Sequence, residues 1–300
     1  MKKFLTIAAM VLGLVACQND EENVNVVMDD VEMTINVKVA EETRTGSEEV
    51  IDGGIFGTDI LDDANITMRY ILQIYHVESD KVEKAERMIL YSDENNGVCF
   101  DVRLAPDRDY KFVVWADVVN TTDAEGNFLN QDYHYNTADL ENITRNEWGA
   151  MDETCDAFTA FILIEGFNGQ KDPINLELER PFAKLRVQTT ELSAAAMQPD
   201  QVKMTCKAIP VSFNAYTGEA STTVADINYE YTIDTTVANA YGETKDSAKY
   251  TLFSDYLFVN SDTIECSLGL YNNGNKLKSM DINNVNVKPN TLTTVSGKLL

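Results

Sequence analysis

The sequence predicts an all-β protein built as two β-sandwiches in tandem, and three observations predict it. Short stretches of alternating apolar and polar residues recur from Val31 to the end of the chain, punctuated by turn signals such as Asn96-Gly97, Thr217-Gly218 and Asn272-Asn273-Gly274. Helical signals are confined to two brief segments. At Arg180-Pro181 the alternation slips by one residue: Ile174, Leu176 and Leu178 precede it on even numbers, and Ala183, Leu185 and Val187 follow on odd ones. Successive strand side chains point to opposite faces, so the slip exchanges the buried face. Proline donates no ladder hydrogen bond and sits at strand starts, edges or bulges. One strand therefore closes a first sandwich and the next opens a second, giving domains at 31–179 and 180–300. A single bulged edge strand within one domain is the alternative. A chain of 300 residues is long enough for two cores.

The formal net charge is −25, from 49 acidic against 24 basic residues. Such a surface repels nucleic acid and anionic lipid headgroups, which excludes both as partners. Acidity by itself names no ligand.

Lys2 and Lys3 form a basic n-region, and Phe4 to Val15 is an apolar run too short to span a bilayer. It ends in Leu14-Val15-Ala16-Cys17, which resembles a bacterial lipobox. The lipobox implies that residues 1–17 are a lipoprotein signal with Cys17 as the acylated residue. Gln18-Asn19-Asp20-Glu21-Glu22 follows and resembles the surface-export signal of Bacteroidetes-type lipoproteins; a plain solvated tether over 18–30 is the alternative. Both readings place the protein at the outer membrane, held by lipid.

In the mature chain Val31, Met33, Ile35, Val37 and Val39 alternate without fault and predict a half-buried strand. Ala40 to Asp52 reads as an exposed linker carrying Thr43-Arg44-Thr45-Gly46. Strands follow at Ile66 to Ile74, Met88 to Tyr91 and Val98 to Leu104, with Asn96-Gly97 as a hairpin turn. Tyr110 to Val119 is nearly continuous apolar sequence broken by Lys111 and Asp117, the pattern of a central strand. Asn120 to Thr154 is a polar insert in which Thr137 is placed to cap a short helix over Ala138 to Ile143. A strand follows at Ala157 to Ile164. Past the slip, strands fit Ala183 to Thr189, Val202 to Ile209, Val211 to Phe213, Ile227 to Ile233, Lys249 to Val259, Thr263 to Tyr271, Leu277 to Ile282, Val285 to Val287 and Thr291 to Leu299. Glu191 to Gln198, ended by Pro199, is the second helical segment.

Chemistry-bearing motifs are few. His76 and His134 share no metal-ligand spacing with each other or with a cysteine, and neither a phosphate loop nor a nucleophile elbow occurs. Without Cys17, four cysteines remain, Cys99, Cys155, Cys206 and Cys266; Cys206 and Cys266 lie on apolar strand faces and read as buried thiols. All four are read as free, with disulfides in any of the three pairings that four cysteines allow as the alternative open to an exported chain. The tyrosines and Trp148 read as core aromatics, with sugar stacking as the alternative. No catalytic residue, metal or cofactor is expected, and the chain does not read as an enzyme.

Three stretches carry a family resemblance. Phe100 to Asp117, Arg180-Pro181-Phe182-Ala183-Lys184-Leu185-Arg186-Val187, and Asn284-Val285 with Val287, Asn290 and Gly297 to Leu300 resemble the fimbrillin-like surface lipoproteins of Bacteroidales, the type V fimbria subunits. The resemblance implies two transthyretin-like sandwiches, a lipidated precursor, and assembly in a fimbrium by strand exchange with other subunits. It also implies proteolytic processing after the first strand, at Arg44. Polymerising subunits of that kind carry a C-terminal donor extension, and the sequence ends at Leu300. The expected role is therefore a tip, accessory or anchored subunit in adhesion or assembly. A non-polymerising surface binding module, for glycans or other host or bacterial surface ligands, is the second function class. Asp234-Thr235-Thr236, Asp246-Ser247-Ala248 and Asp262-Thr263-Ile264 resemble the O-glycosylation sites of exported Bacteroidetes proteins and nominate Thr235, Ser247 and Thr263.

Overall fold

The computed structural model describes residues 30–40, 49–50, 66–78, 81–92, 97–120, 132–189, 198–233 and 250–298. Its first six strands are β1 (Val31–Val39), β2 (Glu49–Val50), β3 (Ile66–Glu78), β4 (Lys81–Ser92), β5 (Val98–Leu104) and β6 (Asp109–Asn120). Then come β7 (Tyr135–Asn136), β8 (Ile143–Arg145), β9 (Ala157–Ile164) and β10 (Ile174–Leu178). Past Pro181 follow β11 (Phe182–Thr189), β12 (Gln201–Pro210), β13 (Ser212–Asn214), β14 (Glu219–Ala220), β15 (Val224–Thr232), β16 (Tyr250–Phe258), β17 (Thr263–Asn272), β18 (Asn275–Asn286) and β19 (Thr291–Gly297). Among the described residues the only helix is a 3₁₀ turn at Glu153–Cys155. The protein is all-β.

Two sheets, β10-β1-β5 and β4-β3-β6-β9, pack on one core. Even-numbered side chains of β3 and β6 meet odd-numbered ones of β1: Tyr70, Leu72, Phe112 and Val114 lie with Met33, Ile35 and Val37. A second pair of sheets, β16-β11-β19-β2 and β15-β12-β17-β18, encloses another core around Leu185, Val187, Met204, Phe253 and Leu268. The slip at Arg180-Pro181 falls between them. Leu178 belongs to the first core and Ala183 to the second, while Arg180, at 4% exposure, is sealed inside.

The opposite faces of β3 and β6 are buried as well, which is why β6 reads as a continuous apolar run. Ile71, Tyr75, Val113 and Trp115 meet Phe182, Tyr256 and Phe258 from the second sandwich. Tyr135, Leu140, Ile143 and Phe213 fill the space between. Trp115 is fully buried and touches Tyr135 and Phe182 edge-on, with centroids 5.4 and 6.2 Å away. These are favoured aromatic geometries. This third core joins the two sandwiches.

The polar insert supplies much of it, and here the structure corrects a sequence expectation. Residues 138–143 form no helix. Thr137 Oγ1 donates to Asp132 Oδ1 at 2.9 Å, and the chain makes the hairpin β7–β8, with Asn142 N–H bonding back to Asp139 O at 3.0 Å. Asn136 and Asp139 take the N–H groups of Ala138 and Glu141 at 3.1 and 3.0 Å, the local side-chain bonds with which Asn and Asp compete against helix. β8 then pairs with β13, building the small sheet β14-β13-β8-β7 across the junction. The segment Val211 to Phe213 thus leaves the second sandwich. The expected strands Leu277–Ile282 and Val285–Val287 merge into one, β18, which carries an irregularity at Asn284 with φ of 56° and ends at Asn286, one residue short of Val287. The helix expected over Glu191 to Gln198 lies almost wholly outside the described residues.

The third core generates a prediction. Trp115→Ala should cost about 3–5 kcal/mol, the usual penalty for truncating a buried aromatic. The denaturant midpoint should fall by the same amount whether unfolding is followed in the first sandwich or the second. Loss confined to one sandwich would show that the junction does not couple them.

Candidate functional site: the β1 slot and the buried junction

β1 is the middle strand of its sheet. It pairs parallel with β10 from Ile35↔Ile174 to Val39↔Leu178, and antiparallel with β5 from Val31↔Leu104 to Val37↔Val98. Met33, Ile35, Val37 and Val39 are at most 9% exposed and enter the core. The outer face is a row of polar cross-strand contacts. Thr34 Oγ1 donates to Asp101 Oδ1 at 2.9 Å, Asn36 Nδ2 to Asn175 Oδ1 at 2.9 Å, and Lys38 pairs with Glu177 at 2.9 Å. Arg103 pairs with Glu32 at 2.6 Å. Exposed pairs of this kind hold register and add little stability. Gly97, with φ of +78°, brings the chain against β1 so closely that a Cβ there would lie 1.8 Å from Val37 O. Only glycine fits both the left-handed conformation and that approach.

Ala40 ends β1 with its N–H on Leu178 O at 2.9 Å. Glu49 and Val50 then pair, as β2, with Leu292 and Thr291 of β19 in the second sandwich. β2 thus belongs to the second sandwich, although β1 before it and β3 after it belong to the first. Arg44, between β1 and β2 in sequence, lies outside the described residues, as do Cys17, Thr235 and Ser247. Thr263 is described: it is the exposed first residue of β17.

At the far edge of the first sandwich, β9 and β10 touch through one bridge. Thr159 N–H bonds Glu179 O at 2.8 Å, and Glu179 N–H bonds Thr159 O at 3.0 Å. Beyond it a cleft of about 320 Å³ opens, lined by Phe161, Glu177, Arg180, Pro181, Phe213 and Val259 among others. Phe161 is 44% exposed, and the Lys111 ammonium lies 4.2 Å from its centroid and 3.9 Å from that of Tyr216.

The junction holds buried ion pairs that no motif announced. Arg69 bonds its register partner Asp117 at 2.9 and 2.7 Å and reaches Asp132 at 2.9 Å. Arg180 Nε donates to Asp156 at 2.9 and 2.8 Å. Arg145, in the insert, donates to Asp255 of β16 at 2.9 and 2.8 Å and to Tyr256 O at 2.8 Å. Burial pushes the Asp255 carboxyl up; Arg145 and Tyr229, whose hydroxyl donates at 2.6 Å, pull it back. Burial is the larger effect and the net shift is upward, while the three donors on its two oxygens favour the charged form against it. Removing one partner of such a pair leaves a buried charge uncompensated. Arg145–Asp255 and Arg180–Asp156 tie the join between the sandwiches, and Arg69–Asp117 fastens β3 to β6 and, through Asp132, to the insert. One sequence signal pointed to them: Asp117 and Asp255 each interrupt an apolar strand, and a charge there requires a buried partner.

The structure also brings together residues that sequence spacing kept apart. His134 Nδ1 lies 3.4 Å from Cys155 Sγ, and its Nε2 is 2.6 Å from Thr154 Oγ1 and 4.0 Å from Asp152. Ligand-type atoms of His134, Asp152 and Cys155 fall within 4.8 Å of one another. The hydroxyl of Thr154 already occupies Nε2. Burial pushes the Cys155 thiol up to about 12 and the His134 imidazole down to about 4, which leaves both neutral. A neutral, buried thiol is a poor nucleophile. His76 sits at the end of β3 beside Tyr110, with centroids 5.8 Å apart.

Over residues 22–300 the sequence matches the family of unknown function DUF6562. The chain belongs to this family. No curated protein matches it. Among solved structures, this DUF6562 chain resembles a Bacteroides thetaiotaomicron protein (DUF1812) provisionally described as polysaccharide-binding, at 12% identity and a TM-score of 0.51. The match covers 84% of this chain and 80% of that one, and it shows a shared fold. The fimbrial anchor protein Mfa2 of Porphyromonas gingivalis is similar over 84% of this chain and 82% of its own, at 14% identity and a TM-score of 0.44. A Bacteroides eggerthii protein provisionally described as a cell adhesion protein aligns over 92% and 89%, at 12% identity and a TM-score of 0.43. No helix among the described residues is long and apolar enough to cross a membrane.

His134 sets a pH dependence. Its folded pKa of about 4 lies below the ordinary value of 6.5, so between these limits the unfolded chain binds more protons and stability falls as pH falls. Asp156, raised by burial to about 6, contributes the opposite slope in an overlapping range. Comparison with His134→Gln isolates the histidine. The stability advantage of wild type over the variant should shrink by up to about 3 kcal/mol from pH 7 to pH 4. A difference that does not change with pH would contradict the assignment.

Proposed function

We propose that this protein is an exported surface lipoprotein of adhesive or fimbrial type in which β1 is an exchangeable strand. The carrying observation is the place of β1 between β10 and β5. Release of an edge strand leaves one new edge; release of this one leaves a slot with ladder groups on both sides and an apolar floor. Such a slot invites a donor strand. Four buried side chains contribute roughly 6–12 kcal/mol as an upper bound. That is comparable with the whole stability of a domain, roughly 5–15 kcal/mol. A chain that has lost β1 therefore needs a replacement. Cleavage after Arg44 separates β1 from β2 and leaves β2 in the second sandwich. The partners this reading implies are other fimbrial subunits or surface ligands, and the domains proposed at 31–179 and 180–300 divide the work between slot and support.

Treatment with an arginine-specific protease tests this, with Arg44→Ala as the uncut control. The cut chain should unfold at lower denaturant and take up one labelled Val31–Val39 peptide. A cut chain that keeps its stability and ignores the peptide would leave a permanently closed surface module, the binding-module reading.

Lipidation at Cys17 and O-glycosylation at Thr235, Ser247 and Thr263 belong to the same proposal, motivated by the lipobox and the Asp-Thr/Ser-apolar triplets. The intact mass of the exported protein should exceed that of the polypeptide by a lipid increment that Cys17→Ala abolishes, and by hexose increments if the triplets are used. A mass equal to the bare mature chain would remove both.

A further inference from the structure

β12 and β17 are adjacent antiparallel strands in the second sandwich, and their register sets Cys206 directly opposite Cys266. Both side chains point into the core, at 0% and 1% exposure, and their Sγ atoms lie 3.6 Å apart. Directly opposed residues in an antiparallel pair have Cα atoms about 4.5–5.5 Å apart, inside the window of about 4.4–6.8 Å that a disulfide spans. Bond formation therefore needs a side-chain rotation that brings the sulfurs about 1.5 Å closer, to a bond length near 2.05 Å. The other described cysteines are occupied elsewhere. Cys99 is exposed on β5, with its thiol on Asn36 Oδ1 at 3.3 Å, and Cys155 lies against His134.

We propose that Cys206 and Cys266 form a cross-strand disulfide when the chain folds in the presence of a disulfide oxidant. One thiol, deprotonated, attacks the oxidant's disulfide and expels one of its sulfurs as a thiolate. The second thiolate then attacks the mixed disulfide and expels the other. Two protons leave the protein, two electrons pass to the oxidant, and the oxidant ends as two thiols. Because both sulfurs are buried in the finished fold, the exchange occurs during folding, before the facing sheet with β11 and β16 closes over them. The oxidant is an oxidised dithiol protein or oxidised glutathione, the kind of agent an exported chain meets.

The bond ties the two middle strands of the outer sheet and closes a loop spanning 60 positions. A pull applied to the ends of the chain then cannot extract the residues between the two cysteines. Roughly 200 Å of contour, at ~3.5 Å per residue, is withheld from extension. In a protein that carries load at a surface, this keeps the second sandwich closed.

The test is to refold the full-length chain from denaturant with mixed reduced and oxidised glutathione, trap free thiols with an alkylating agent, and digest with trypsin. The expected product is the peptide Met204–Lys207 joined to Tyr250–Lys276, two mass units lighter than the sum of the two thiol peptides and separated by a reductant. Reductant should lower the unfolding midpoint of the refolded wild type and leave Cys266→Ala unchanged. Recovery of both peptides singly alkylated, or of Cys206 joined to Cys99 or Cys155, overturns the proposal.

Discussion

The burial of Trp115 is the constraint on which the arrangement depends. β6 lies in the middle of its sheet and is apolar on both faces, so one face cannot be left to solvent. The second sandwich and the insert cover it, and Phe182, Phe258 and Tyr135 are the side chains that do so. Once that contact is made, the orientation of β11 follows, because Phe182 opens it. The alternation of Ala183, Leu185 and Val187 must then face the other way, into the second core. The one-residue slip at Arg180-Pro181 is the covalent record of this geometry. Arg145–Asp255 and Arg180–Asp156 reinforce it: both are buried at the join and each fails if its partner is displaced.

β1 stands in contrast. Its inward face is fully committed to the first core and its outward face is half exposed, while the next described strand, β2, belongs to the other sandwich. Neither the third core nor the buried ion pairs use any of its side chains. Its partners β10 and β5 are anchored through their own connections to β9, β11, β4 and β6. The strand can therefore be treated as a filler of a slot that the rest of the fold defines. That combination, high local burial with no role in the global join, is the property an exchangeable strand requires.

The second sandwich is built to resist. Its sheets enclose a core closed by long strands, and the two-residue turn Asn273-Gly274, with φ of 47° and 75°, fixes the register of β17 against β18. Left-handed values at both central residues are those of the turn that matches the natural twist of a hairpin. The register of β12 against β17 opposes Cys206 to Cys266. The two halves thus differ physically: in one a single central strand, β1, pairs on both sides and fills the core from the middle, and in the other the register of long adjacent strands is fixed by a tight turn.

Most of the strands were legible in the sequence because their signal is local. A period of two, read at Met33-Ile35-Val37 or Met204-Cys206, reports a half-buried strand without knowledge of its partner. The slip at Pro181 is local too. The sequence did not reveal that the segment after Thr137 would turn into the hairpin β7–β8, because the strand that β8 pairs with, β13, lies about 70 residues further along the chain. Arg69, Arg145, Asp255 and Cys155 were invisible as a set for the same reason: charge and thiol identities are written in the sequence, but their distances are not. What the sequence by itself determined was the all-β character, the two half-buried patterns and the place where they change face. What only the tertiary structure decided was that β1 lies between two partners and that β6 is covered on both sides, since strand order in a sheet depends on long-range closure and leaves no periodic trace.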